Sequence, residues 1–217
     1  MTVLLFVLFT IIIGLTIDYL LNRKKRAGSR ITQRISYLSP SSIIPMLPEG
    51  IFLQPTFTWS KLLDSGNLMV GIQPLLLGLI GEPEKFNKLD LGQAIQKGDT
   101  VLTLQKGIKK LNVKSPVNGT IESINPNFTE EAWENLGDVW LYSIKPENLA
   151  SEISNWYLAE KSRTWMAQKL EQIRTFLSNN ASHKQVGITI ADGGELPVGV
   201  LSQFDDKTWK VFETSFL

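Results

Sequence analysis

From Gly50 to about Ile144 the chain is built of short runs with β-type composition, separated by turn chemistry. The runs are GIFLQPTFTW, NLMVGIQ, DTVLTLQ, KKLNVKSP, NGTIESIN and DVWLYSIKP, rich in branched and aromatic residues and bounded by Gly, Pro, Asn and Asp. Such spacing predicts a small all-β body over residues 50–146. One stretch departs from it. In IQPLLLGLIGE, Leu75, Leu76, Leu77, Leu79 and Ile80 predict a short buried helix closed by Gly81.

Residues 27–49 carry Ser, Arg and three prolines without a sustained period, which predicts a linker ahead of a domain starting near Gly50. After the β body, residues 147–180 place Leu149, Ile153, Trp156, Leu170, Ile173 and Leu177 at helical spacing. One long helix, or two in line, is expected there, with Asn179 and Asn180 as its stop. In residues 181–217, Asp192-Gly193-Gly194 suits a tight hairpin turn, the alternative being an anion nest. The last segment offers Asp205 or Asp206 as a helix cap and sets Trp209, Phe212 and Phe216 on one face. That face either packs back on the body or presents a stripe to a partner.

At the N-terminus, Val3 to Leu21 is apolar apart from two threonines, Asp18 and Tyr19, and as a helix it reaches roughly 28 Å, about the bilayer hydrocarbon thickness. No basic residue precedes it, and Arg23, Lys24, Lys25 and Arg26 follow it. Residues 1–26 are therefore expected to be an uncleaved transmembrane anchor. Its basic flank predicts an N-terminus outside and a cytoplasmic C-terminal domain. A cleavable secretory signal is the alternative, given the small residues Gly14 and Thr16. Asp18 reads as an interfacial acid, or as a partner for a neighbouring helix.

Composition narrows the chemistry. With 22 basic and 21 acidic residues among 217, nothing advertises a nucleic-acid partner. The absence of cysteine removes thiol nucleophiles, disulfides and thiolate metal sites, and His183, between Ser182 and Lys184, cannot by itself supply a triad or a multi-histidine site. No carboxylate pair or phosphate loop stands out, so a non-enzyme without metal or cofactor is expected.

Three groups of residues, in order, resemble the glycine-cleavage H protein family. Phe57-Thr58-Trp59 and Val70-Gly71-Ile72-Gln73, followed by Ile80-Gly81-Glu82, look like its opening strands, short helix and turn. Lys114-Ser115-Pro116-Val117-Asn118-Gly119-Thr120-Ile121 looks like its Ser-Pro-Val-x-Gly turn. Leu136 to Pro146, LGDVWLYSIKP, is similar to the strand ending its core. The resemblance covers about residues 50–160. It implies a mainly β lipoyl-type barrel-sandwich hybrid with added helices, and a hairpin whose tip lysine carries lipoate.

That lysine lies seven residues before the Ser of the turn, and counting back from Ser115 gives Ile108. An isoleucine cannot form the amide. The family's acid three residues earlier is Gln105 here, Gly107 alters the tip, and the opening histidine is Phe57. A shortened return strand would bring Lys109 to the tip, but a one-residue slip turns every neighbouring side chain over. The basic cluster of Lys106, Lys109, Lys110 and Lys114 is a solvated surface or a dock for an acidic partner or anionic lipid.

These readings predict a non-catalytic, membrane-anchored accessory or scaffold subunit of a larger membrane complex. Its candidate contact residues are Lys106, Lys109, Lys110, Trp209, Phe212 and Phe216. A lipoyl carrier using Lys109 is the first alternative, and a membrane-fusion-type adaptor the second.

Overall fold

The structure is a computed structural model that describes residues 37–135, 137–158, 160–181 and 195–217. Residues 1–36 lie outside it, and with them the expected anchor, Val3 and Leu21 and the basic flank Arg23, Lys24, Lys25 and Arg26. So do His183 and the expected Asp192-Gly193-Gly194 turn. Among the described residues no helix is long and apolar enough to cross a membrane.

Twelve strands are described: β1 Tyr37–Leu38, β2 Phe52–Leu53, β3 Thr58–Leu62, β4 Leu68–Ile72, β5 Lys85–Lys88, β6 Ala94–Ile95, β7 Thr100–Lys106, β8 Lys109–Lys114, β9 Gly119–Ile124, β10 Trp140–Pro146, β11 Tyr157–Leu158 and β12 Leu196–Pro197. The helices are α1 Pro40–Ile43, α2 Pro74–Ile80, α3 Leu149–Glu152, α4 Glu160–Asn180 and α5 Asp206–Phe216. One antiparallel sheet runs β11-β2-β3-β4-β10-β9-β6, a second runs β5-β7-β8, and β1 pairs with β12. Leu102, Leu104, Leu111 and Val113 of the second sheet share one core with Val70, Ile121 and Ile144 of the first. The result is the expected small β body, two antiparallel sheets around one core. Tyr142 ties its two sheets together, its hydroxyl donating to Val101 O at 2.9 Å and accepting from Leu89 N at 2.7 Å. Burial pushes that phenol up to about 12.

The turn and glycine motifs have steric causes. A Cβ on Gly71 would lie 2.3 Å from ring atoms of Trp59, whose Nε1 donates to Gly137 O at 2.9 Å. The Trp59 ring thus lies flat across β4 only because position 71 has no side chain. A Cβ on Gly119 would meet Lys145 O at 2.3 Å. Beside it, buried Ser115 donates to Val117 O at 2.7 Å, and Asn118 Oδ1 accepts from Lys97 N. The Ser-Pro-Val-Asn-Gly turn is therefore closed by its own side chains.

Helix α2 forms as expected. Pro74 starts it, every residue from Pro74 to Ile80 is buried, and Gly81 ends it with φ 72°. The folded body begins earlier than Gly50, however. Tyr37 and Leu38 pair with Pro197 and Leu196, and Leu38 and Ile43 are fully buried. Two of the three prolines that suggested a linker serve as starts: Pro40 opens α1, and Pro45 lies in the first turn of the 3₁₀ segment Ile44–Met46.

The region after the β body is interrupted rather than one continuous helix. α3 and a 3₁₀ turn are followed by β11, which pairs with β2 (Tyr157↔Leu53) and extends the large sheet by one edge strand. Backbone pairing wins there over helical periodicity. α4 then buries Trp165, Met166, Leu170, Ile173 and Leu177 and ends at Asn180, whose Nδ2 donates to Phe176 O at 2.8 Å.

Candidate functional site: the hairpin tip and its C-terminal cap

The β7–β8 hairpin closes through two residues, Gly107 and Ile108, with Lys106 opposite Lys109. Gly107 has φ 59°, the positive value that the first position of a type II′ turn requires. Ile108 sits at the apex and is 82% exposed. The register is held from within: Leu104 pairs with Leu111 and Leu102 with Val113, all four fully buried. Sliding β8 by one residue to lift Lys109 to the apex would turn Leu111 and Val113 to solvent. The position that the resemblance assigns to the modified lysine is Ile108.

The lysines beside the tip have defined partners. Lys106 Nζ donates to Ile80 O at 3.3 Å, the last carbonyl of α2. Lys109 Nζ donates to Ser202 O at 3.0 Å and to Phe204 O, and lies 5.6 Å from the centroid of the Trp209 ring. Its cation is thus held between the carbonyls that end a 3₁₀ turn, Val200–Gln203, and an aromatic face. Lys110 is exposed, and Lys114 Nζ donates to Thr100 Oγ1 at 3.0 Å.

The C-terminal segment makes this arrangement. β8 is an edge strand, and α5 covers its outer groups. Glu213 Oε1 accepts from the Asn112 backbone N at 2.9 Å and from Asn112 Nδ2 at 2.7 Å, while Trp209 Nε1 donates to Lys110 O at 2.7 Å. Side chains of a helix thereby satisfy a strand edge that would otherwise be open to pairing. Asp205 caps α5, its Oδ1 accepting from Thr208 N at 2.8 Å. The hydrogen bonds from the Thr208 backbone and hydroxyl hold its carboxyl below the usual range, and Lys207 and Lys109 add to the effect.

This placement agrees with the first of the two readings of the aromatic face, the one that packs it back on the body. Trp209 and Phe212 are buried, and half-buried Phe216 stacks on Phe212 at 5.0 Å and meets Phe176 edge-on at 5.5 Å. The stripe closes the body, with β8 and α4 covering Trp209 and Phe212. Of the candidate contact residues, Lys110 is exposed, and Lys106 and Lys109 are half-buried. Among the described residues no group of three or more His, Cys, Asp or Glu is placed to hold a metal.

No protein-family model matches the chain. Curated relatives do. The glycine cleavage system H protein of Paraburkholderia phymatum is 30% identical over 109 residues, which make up 49% of this chain and 86% of that protein. The chain belongs to the glycine cleavage system H protein family. The probable H protein of Pyrococcus horikoshii is 26% identical over 116 residues, covering 52% of this chain and 87% of that protein. A solved H protein from Mycobacterium marinum aligns at a TM-score of 0.46 with 15% identity, over 56% of this chain and 99% of that one.

Within this H-protein-family chain, the departure at Phe57 has a structural counterpart. Phe57 is fully buried with φ 57°, and its ring lies 6.0 Å from that of Trp165 on α4. Gln73, also buried, clamps the turn by donating from Nε2 to Gln54 O at 2.9 Å and Thr58 O at 2.8 Å. The aromatic residue at position 57 is thus where α4 docks. Sequence reasoning found the tip, the turn and the helix cap. It missed the Lys109 cradle, because carbonyl ligands from Ser202 and Phe204 leave no side-chain signature.

Proposed function

We propose that this chain is an H-protein-family member that does not carry lipoate and acts by binding, as an accessory subunit of a membrane complex. The observation that carries the reading is Ile108 at the hairpin apex, with the flanking Lys106 and Lys109 amines donating to backbone carbonyls. Lipoylation needs a free ε-amine at the apex, and the register that would supply one exposes two core residues. The membrane part of the proposal rests on the apolar run Val3 to Leu21 and the basic residues after it, which favour a single span with the body on the cytoplasmic side.

The relatives support a second reading, a lipoyl carrier using Lys109, since their fold is that of the glycine cleavage system's H protein. Lys109 stands one residue past the apex, and transient release from the Ser202 and Phe204 carbonyls would free it. Treatment with a lipoate–protein ligase, read by intact mass, separates the two. The expected outcome is an unmodified natural chain and a lipoyl increment on Ile108→Lys. An increment on the natural chain that disappears in Lys109→Arg overturns the non-carrier reading. The accessory role is tested by purification in mild detergent from native membranes: recovery as a lone monomer contradicts it.

A further inference from the structure

Both edges of the small sheet are closed by carboxylates. Glu213 accepts from Asn112 N on β8, and Glu130, in the 3₁₀ segment Glu130–Asn135, accepts from Phe86 N on β5 at 2.6 Å. At the β11 end of the large sheet the situation differs. There a groove of about 440 Å³ opens between the chain leading into β2 and the start of α4. Small-molecule sites fall in the range of roughly 300–1,000 Å³. Its lining is mainly apolar: Ile51 and Leu53 are buried, Ile44 and Leu47 half-buried, and Leu158 of β11 is 47% exposed. The pairing of β11 with β2 (Tyr157↔Leu53) brings Leu158 and the start of α4 to Ile51 and Leu53. The stretch that breaks the helical pattern is thus what builds the groove.

Two of the described lining residues are charged, Glu49 from the chain leading into β2 and Arg163 from the first turn of α4. Both are exposed, and neither has a hydrogen-bond or ion-pair partner among the described residues. Ser162 is engaged, its hydroxyl donating to Tyr157 O at 2.8 Å. This combination selects among ligands. An uncharged apolar molecule leaves both charges unanswered. A simple aliphatic carboxylate meets Arg163 but is opposed by Glu49, and an aliphatic amine meets Glu49 but is opposed by Arg163. A partner strand is a poor occupant, because β11 has two residues and is too short an edge to template pairing. A molecule with an ammonium, a carboxylate and an apolar body answers the acid, the base and the apolar lining together.

We infer that this groove binds a small aliphatic amino acid, its carboxylate on Arg163, its ammonium on Glu49 and its side chain against Ile51, Leu53 and Leu158. The inference depends neither on whether the chain carries lipoate nor on its anchor.

Ligand-observed saturation-transfer NMR on the full-length chain in detergent micelles, with empty micelles as the blank, tests it. The probes are L-leucine, 4-methylpentanoate, which lacks the ammonium, and 3-methylbutylamine, which lacks the carboxylate. N-acetyl-leucinamide has the side chain without either charge and stands for a leucine inside a partner protein. Leucine is expected to bind saturably, and each of the other three about fivefold more weakly or worse. Glu49→Gln should weaken leucine and remove its advantage over 4-methylpentanoate. Arg163→Gln should remove its advantage over 3-methylbutylamine. Both side chains are exposed, so the unfolding midpoint of either variant should stay within about 0.5 kcal/mol of the natural chain. Absence of saturable leucine binding overturns the inference. So does 4-methylpentanoate binding as tightly as leucine, or a ranking that both variants leave unchanged. N-acetyl-leucinamide binding as well as leucine also overturns it, and assigns the groove to an apolar residue of a partner protein.

Discussion

At the residue scale, glycines and one large ring fix the β body more tightly than the general β pattern does. Gly71 exists for Trp59, since any Cβ there meets the indole at 2.3 Å. Both elements are central strands, so neither backbone can retreat. Gly71→Ala is expected to cost about 1–3 kcal/mol by overpacking, measured as a lower urea midpoint at unchanged slope. Retained stability would mean that the Trp59 ring can leave its place over β4. Ile108 is the opposite case. It is exposed and touches nothing that sets the fold, so Ile108→Lys should leave the unfolding midpoint within about 0.5 kcal/mol of the natural chain while creating a lipoyl acceptor.

At the element scale, α5 acts as the cover of an edge strand. Removing its anchor by Trp209→Ala leaves a cavity beside β8, deletes the donor to Lys110 O and takes the aromatic face from Lys109. A loss of about 3–5 kcal/mol is expected, together with faster amide exchange along β8, starting at Asn112. Exchange that speeds uniformly over the molecule would show that α5 is not a separate cap. Acid should loosen the same element. Because the Asp205 carboxyl is depressed in the folded state, chiefly by Thr208, its contribution is present above the ordinary carboxylate value, roughly pH 4, and is lost as pH falls through the folded value. Asp205→Asn should flatten that dependence in circular dichroism titrations.

Much of this was legible in advance. Pro74 and Gly81 bracket α2, Asp205 caps α5, and the turn residues divide the strands, because each is a local preference written in one or two side chains. The interrupted region around β11 was not legible. Tyr157 and Leu158 are strand only because β2 offers a free edge, and such pairing depends on residues distant in sequence. The early start of the body at Tyr37 was hidden for the same reason, since its partner β12 lies near the other end of the chain.

At the scale of the whole molecule, the family fold occupies about half of the chain, and the rest of the described residues are largely devoted to covering it. α4 docks on Phe57, and the C-terminal segment closes over β8 and holds Lys109. A carrier hairpin must leave its modified lysine free to move between sites. This hairpin has an isoleucine at its apex, and Lys106 and Lys109 on either side of the turn donate to backbone carbonyls. The additions and the missing lysine are what the proposed non-carrier reading rests on. The most direct test is the intact mass of the chain isolated from its native host, with peptide mapping of residues 100–115. The expected result is the mass of the unmodified polypeptide across that hairpin, and a lipoyl increment on Lys109 would contradict the non-carrier proposal.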